Sequence, residues 1–125
     1  MATVLFVEDD PAYADMYRLK LELDGYTVQL ASDGQQALQM LQSGVLPDLV
    51  FLDVRLPQLD GLSVLRRLRE SQRTRELRVV IVSNYGEDEV MQESLQLGAL
   101  DYVVKANVTP SELSQGIQRW APPGA

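Results

Sequence analysis

Val4-Leu5-Phe6-Val7-Glu8-Asp9-Asp10-Pro11 is the stretch from which the rest of the chain can be read. Its four apolar residues have the length and composition of a buried strand. Asp10-Pro11 then has the form of a helix start, an aspartate cap followed by proline at the first helical position. A second apolar run, Leu49-Val50-Phe51-Leu52, ends in the same manner on Asp53. In an open parallel sheet the C-terminal ends of the strands face the ligand crevice. Two such strands would therefore crowd Glu8, Asp9 and Asp53 into one negative pocket. One acid at a helix start is explained by the helix dipole; three in a row, matched by a fourth at another strand end, point to a site. Crowded carboxylates repel one another unless a cation sits among them. A hard divalent ion with oxygen ligands, Mg²⁺ in particular, fits best.

Outward from these two runs, strand and helix signals alternate to the end of the chain. A helix bearing Met16, Tyr17, Leu19, Leu21 and Leu23 stops at Gly25. Val28, Leu30 and Ala31 mark a second strand, and Asp33 opens a helix with Ala37, Leu38 and Leu41 that ends at Gly44. Leu49 to Asp53 is the third strand, Asp60-Gly61 starts a third helix through Leu65 and Leu68, and Val79 to Val82 is the fourth strand. Glu87 to Leu97 reads as a helix with Gly98 as its stop, and Tyr102 to Val104 as the fifth strand. Thr109-Pro110-Ser111-Glu112 is a capping box before a last helix ending near Trp120. Five β-α units of this kind predict a parallel sheet with helices on both faces.

The 125 residues suit one domain. A single folded unit over residues 1–121 is expected, with 122–125 as a tail or the start of a linker after Pro122-Pro123. The absence of cysteine and histidine excludes disulfides, thiolate metal sites and the commonest general base. A net charge of −7 makes the domain a poor binder of nucleic acid by itself. No apolar run approaches membrane-spanning length and the N-terminus has no signal-peptide pattern, so a cytoplasmic protein with no membrane contact is the expectation.

Two more residues fall at strand ends on the acidic edge: Ser83 after Val79 to Val82, and Lys105 after Tyr102 to Val104. A hydroxyl and an ammonium beside several carboxylates suit a group with negative oxygens in transit, which a lysine binds as a point charge. The order and spacing of Val7-Glu8-Asp9-Asp10, Leu52-Asp53, Leu56-Pro57, Asp60-Gly61, Val82-Ser83, Ala99-Leu100-Asp101-Tyr102 and Lys105 resemble the receiver domains of two-component response regulators. The resemblance covers nearly the whole chain. It implies a flavodoxin-like, doubly wound (βα)5 fold of the α/β class with strand order 2-1-3-4-5. It also implies that Asp53 accepts a phosphoryl group from a phosphohistidine on a sensor histidine kinase or phosphotransfer protein. Mg²⁺ would be held by Asp9, by Glu8 directly or through water, by Asp53 and by the backbone carbonyl of Arg55. Lys105 would neutralise charge on Asp53 and then on the phosphoryl oxygens. Ser83 would move to the phosphoryl group, and Tyr102 would turn inward, altering the surface of the fourth helix, fifth strand and fifth helix for a downstream effector protein or output domain. Such a protein is not a turnover enzyme; it catalyses only its own phosphorylation and dephosphorylation.

The chain departs from the family pattern in three places. Ala106 follows Lys105 where proline in a cis bond is usual; a cis bond without proline costs about 3–4 kcal/mol, so a rebuilt loop with a trans bond is expected. Asn84 stands where alanine is common and would narrow the approach to Asp53. Arg55 and Tyr85, two residues after Asp53 and Ser83, flank the implied path of the hydrolytic water and would slow loss of the phosphoryl group.

Other readings fit less well. A phosphatase of the haloacid dehalogenase type needs a second aspartate two residues after the first, and that position is Arg55. A flavin-binding flavodoxin needs a phosphate cradle where Glu8-Asp9-Asp10 would repel one. A receiver-like protein-binding module that does not depend on phosphorylation remains the alternative. The six arginines between Arg66 and Arg78 read either as a solvated face of the third helix and its loop, the favoured reading, or as a dock for an acidic partner.

Overall fold

The computed structural model describes residues 2–84 and 86–123. The expectations for Tyr85 and for the last two tail residues lie outside the described residues. Five strands, β1 (Thr3–Val7), β2 (Thr27–Ala31), β3 (Leu49–Leu52), β4 (Val79–Ser83) and β5 (Asp101–Val104), form one parallel sheet in the order β2-β1-β3-β4-β5. Five helices, α1 (Pro11–Leu23), α2 (Gly34–Gln42), α3 (Gly61–Glu70), α4 (Asp88–Gln96) and α5 (Pro110–Trp120), alternate with them. The α/β class, the flavodoxin-like winding and the strand order all match the expectation. Boundaries differ by a residue or so: Ser83 is the last residue of β4 rather than the one after it, and Asp53 follows β3 rather than ending it.

Strand alternation sorts the core into two layers. Leu5, Val7, Val50, Leu52, Val79 and Ile81 pack against Leu38 and Leu41 of α2 and Val64, Leu65 and Leu68 of α3. Val4, Phe6, Phe51, Val80 and Val82 pack on the opposite face, against Tyr17 and Leu21 of α1 and Leu113, Ile117 and Trp120 of α5. Phe6 stacks on Tyr17 at 5.1 Å between ring centroids, and Trp120 meets Phe51 edge-on at 5.7 Å. The central strands β3 and β4 are buried along their whole length, whereas edge strand β2 alternates, as covering by helices on both faces requires. On α1 the buried stripe is Ala14, Tyr17 and Leu21, and Met16, Leu19 and Leu23 face solvent.

The caps follow the sequence. Asp10, Asp33, Asp60 and Thr109 each accept a hydrogen bond from the first turn of the helix that follows, and Thr109 with Glu112 completes the capping box. After α1 and α4 the chain turns through Gly25 (φ 97°) and Gly98 (φ 84°), left-handed conformations that glycine adopts at no steric cost.

α4 is held differently from the other helices. Of its nine residues only Ser94 is buried, so little apolar contact fixes it. Arginines fix it instead. Arg66 on α3 pairs with Glu93. Arg69, partly buried, donates to Leu97 O at 2.6 Å and Gly98 O at 3.3 Å at the C-terminal end of α4, and to Thr74 O, Arg75 O and Leu77 O in the loop after α3. Arg73 does the same at the end of α2, donating to Leu41 O at 3.2 Å and to Gly44 O. Cations at helix C-termini satisfy unpaired carbonyls and oppose the dipole. The favoured reading of this stretch as a solvated face holds for Arg66, Arg67 and Arg75, which are exposed, and is corrected for two of the six. Arg69 and Arg73 are ties between elements, because the fold brings helix ends to them.

Gly61 sits where the chain folds back on the site: its N–H donates to Val54 O at 2.8 Å, and a Cβ there would lie 2.0 Å from Asp53 O. Gly61→Ala forces the backbone below Asp53 to shift, and overpacking of this kind costs about 1–3 kcal/mol. Urea unfolding of the variant is expected to show that loss.

Candidate functional site

The chain leaves β1 towards β2 on one side and leaves β3 towards β4 on the other, so the crevice of the sheet opens at the C-terminal ends of β1 and β3. Glu8 and Asp53 stand at those two ends. Each is anchored by its own N–H: Glu8 to Ala31 O at 3.0 Å, and Asp53 to Val7 O at 3.2 Å. Both side chains are buried, while Asp9 beside them is exposed. Asp10 is the cap of α1, and its N–H donates to Glu8 Oε2 at 3.3 Å.

Lys105 comes from the end of β5 to meet them. Its Nζ donates to Asp53 Oδ2 at 2.9 Å and to Glu8 Oε1, and lies 4.9 Å from the centre of the Tyr13 ring. Burial of the lysine is nearly complete, at 5% exposure. The Lys105–Ala106 peptide is trans and Lys105–Asn107 forms a 3₁₀ turn, so the loop is rebuilt as expected and still delivers the ammonium. Tyr13 had no distinguishing signal in the sequence beyond lying three residues after the cap of α1; its ring supplies a cation–π face for the buried charge.

Ser83 is buried at the end of β4, in register with Val104. Tyr102 lies in β5 opposite Ile81, half-buried against the α2–α3 layer. Arg55, two residues beyond Asp53, donates its backbone N–H to Asp53 Oδ1 at 3.2 Å. Its exposed side chain reaches across to Glu87, the cap residue of α4. Sequence reasoning missed this ion pair, because the two residues lie 32 positions apart and neither belongs to a periodic pattern.

Burial pushes the Glu8 carboxyl from its ordinary 4.5 up to about 7, against the hydrogen bond and charge of Lys105; the charge of Asp53 adds to the rise. Burial pulls Lys105 the other way, but its hydrogen bonds to Glu8 and Asp53 and their two charges outweigh it, and its pKa lies above the ordinary lysine value.

Carboxylate oxygens of Glu8, Asp9 and Asp53 lie within 4.8 Å of one another. Opposite ligands of an octahedral Mg²⁺ stand about 4.2 Å apart at ion–oxygen distances of about 2.1 Å. The three acids therefore need only small side-chain shifts to share one hard ion, with exposed Asp9 leaving room for water ligands. The donor set fits Mg²⁺; Glu8 would exchange its contact with Lys105 in doing so.

Comparison with known proteins agrees with this architecture. The response regulator receiver domain family matches residues 4–118. The chain is 38% identical over 105 residues to the DNA-binding dual master transcriptional regulator RpaA of Synechocystis, covering 84% of this chain and 43% of that protein, so it spans less than half of RpaA's length. A 14.6 kDa protein of Leptolyngbya boryana is 34% identical, with 98% of this chain and 94% of that protein covered. Among solved structures, the receiver domain of sensor histidine kinase PA1611 from Pseudomonas aeruginosa superposes with a TM-score of 0.85 at 31% identity, covering 96% of this chain and 97% of that one. That structure has a magnesium ion coordinated in the active site cleft.

The raised Glu8 pKa has a measurable consequence. The folded chain holds this proton more tightly than the unfolded chain does. Its contribution to stability is thus fullest below about pH 4.5, falls as pH rises towards about 7, and is constant above that. Without metal, the unsubstituted chain is expected to lose unfolding free energy relative to Glu8→Gln as pH rises across that window, measured by urea unfolding at a series of pH values. A difference independent of pH would contradict the assignment.

Proposed function

The chain belongs to the response regulator receiver domains, and on that premise we propose that it takes a phosphoryl group onto Asp53 from a phosphohistidine of a sensor histidine kinase or phosphotransfer protein. The observation that carries this reading is the buried trio Lys105, Glu8 and Asp53, one ammonium bonded to two carboxylates at the mouth of the switch-point crevice.

In the transfer, an Asp53 carboxylate oxygen forms a bond to phosphorus as the bond from phosphorus to the imidazole nitrogen breaks and its electron pair returns to the ring. An ionised carboxylate needs no general base, which accounts for a site without histidine. What the protein must supply is position and charge neutralisation. The backbone N–H of Arg55 orients Asp53, Lys105 follows the negative charge from the carboxylate to the phosphoryl oxygens, and Ser83 offers a hydroxyl to the same oxygens. Bound Mg²⁺ would supply the further positive charge needed to bring a phosphoryl group against three acids. Glu8, Asp9, Asp53 and the Arg55 carbonyl would hold it.

Withdrawal of Lys105 and Ser83 towards a phosphoryl group alters the ends of β4 and β5. Tyr102, half-buried between them and the α3 layer, is the residue we assign to carry the change to the surface of α4, β5 and α5. A downstream effector protein or output domain would read that surface. The receiver unit in this reading runs over residues 1–121, with Ala121 still buried, and 122–125 are assigned as a tail or the start of a linker. Among the described residues no helix is long and apolar enough to cross a membrane, and we take the cytoplasm as the place of action. The family's kinase partners and its self-limited chemistry give no reason to assign turnover of a separate substrate or direct binding of nucleic acid to this domain.

Incubation with acetyl phosphate and Mg²⁺ is expected to add one phosphoryl group to the chain by mass spectrometry, and to add none to Asp53→Ala. No gain in the unsubstituted chain would favour the phosphorylation-independent binding module instead.

A further inference from the structure

Among the described residues, the three cations nearest the acidic pocket are each engaged by an acid. Lys105 is held by Glu8 and Asp53, Arg55 by Glu87, and Arg66 by Glu93. Arg55, Arg66 and Glu87 line an open groove of about 690 Å³ that begins at Asp9 and runs over Leu56 to Val90 between the β3–α3 loop and α4. A small anionic donor approaching Asp53 along this groove meets three acids, Asp9, Asp60 and Glu87, and two arginines that are each already paired with an acid.

Arg55 is placed to change that. Its backbone N–H is bonded to the Asp53 carboxylate, so its side chain starts beside the reacting oxygen. The ion pair that draws the guanidinium away to Glu87 is exposed, with 61% and 45% of the two side chains accessible. Exposed pairs contribute little and exchange readily. A phosphoryl group carries up to two negative charges and accepts paired N–H donors from a guanidinium better than a single exposed carboxylate does.

We propose that Arg55 is a docking residue for the phosphoryl group of small anionic acyl phosphates, and that Glu87 is a positioning residue that withholds it. Transfer of Arg55 from Glu87 to the phosphoryl oxygens also removes one of the few ties on the N-terminal end of α4, a helix in which only Ser94 is fully buried. Donor capture and release of α4 are then one exchange of partners. This inference rests on the phosphoacceptor role of Asp53 and concerns the regulation of that site.

The test is a double-variant cycle on the rate of phosphorylation by acetyl phosphate with Mg²⁺, followed by mass spectrometry. Glu87→Gln is expected to raise the rate roughly two- to fivefold, the span covered by one exposed ion pair. Arg55→Ala is expected to lower it, and Arg55→Lys to recover part of the loss. The double variant Arg55→Ala/Glu87→Gln is expected to be no faster than Arg55→Ala alone. Removing a negative charge from the groove, or loosening α4, would accelerate the reaction whether or not Arg55 is present. An equal acceleration in the Arg55→Ala background, or no acceleration by Glu87→Gln alone, therefore overturns the proposal while leaving Asp53 as phosphoacceptor. A chain that takes up no phosphoryl group at all overturns the phosphoacceptor reading and this inference together.

Discussion

The Lys105 ammonium, buried and bonded to both Glu8 and Asp53, is the contact on which the rest of the structure depends. It closes two loops, of 97 and 52 residues, by joining the ends of β5, β1 and β3. Two carboxylates in a buried pocket would repel each other and resist ionisation; the ammonium makes the arrangement tenable. A buried charge network is weak evidence for stability, because desolvation offsets much of the attraction, yet removing one partner leaves an uncompensated charge. The raised Glu8 pKa shows the remaining cost. A site kept at that cost is better explained by chemistry than by folding, and a group whose charge can pass from a carboxylate to a phosphoryl oxygen is what the proposed transfer requires.

Around that contact the fold divides into a firm side and a yielding one. α1 and α5 bury Tyr17, Leu21, Leu113, Ile117 and Trp120 against the sheet, and Asp24 at the end of α1 accepts a hydrogen bond from Ser114 of α5. α4 buries only Ser94 and hangs on guanidinium contacts from Arg55, Arg66 and Arg69. Segments with few buried apolar contacts open at low free energy. By that measure α4 is the least firmly anchored of the helices, and its N-terminal tie, Arg55 to Glu87, lies beside Asp53.

Much of this was legible in the sequence, and the limits follow from particular residues. Four-residue apolar runs ending on Asp53 and on Glu8-Asp9 located β1, β3 and the acid pocket, because parallel strands deliver their C-terminal ends to one edge. Asp10-Pro11, Asp60-Gly61 and the Thr109–Glu112 box gave helix starts, since capping is local chemistry. Lys105 was found despite Ala106 in place of proline; the 3₁₀ turn Lys105–Asn107 shows how a trans bond is accommodated. α1 was ambiguous because it carries apolar residues on two sides, and only packing decides that Tyr17 is buried and Leu19 is not. The roles of Arg69 and Arg73 were hidden for a stronger reason. Their acceptors are backbone carbonyls at the ends of other helices, and no residue type signals a carbonyl that the fold will bring into reach. Arg55 and Glu87 were hidden likewise, as an isolated pair far apart in sequence.

The central claim is that Lys105 changes partners when a phosphoryl group arrives on Asp53. A crystal structure of the chain with Mg²⁺ and beryllium fluoride, a stable stand-in for the phosphoryl group, tests it most directly. The account predicts beryllium fluoride bonded to the Asp53 carboxylate, with Lys105 Nζ contacting a fluorine and separated from Glu8, which turns towards the metal. A bare Asp53 with Lys105 still bridging Glu8 and Asp53 under saturating reagent would contradict it.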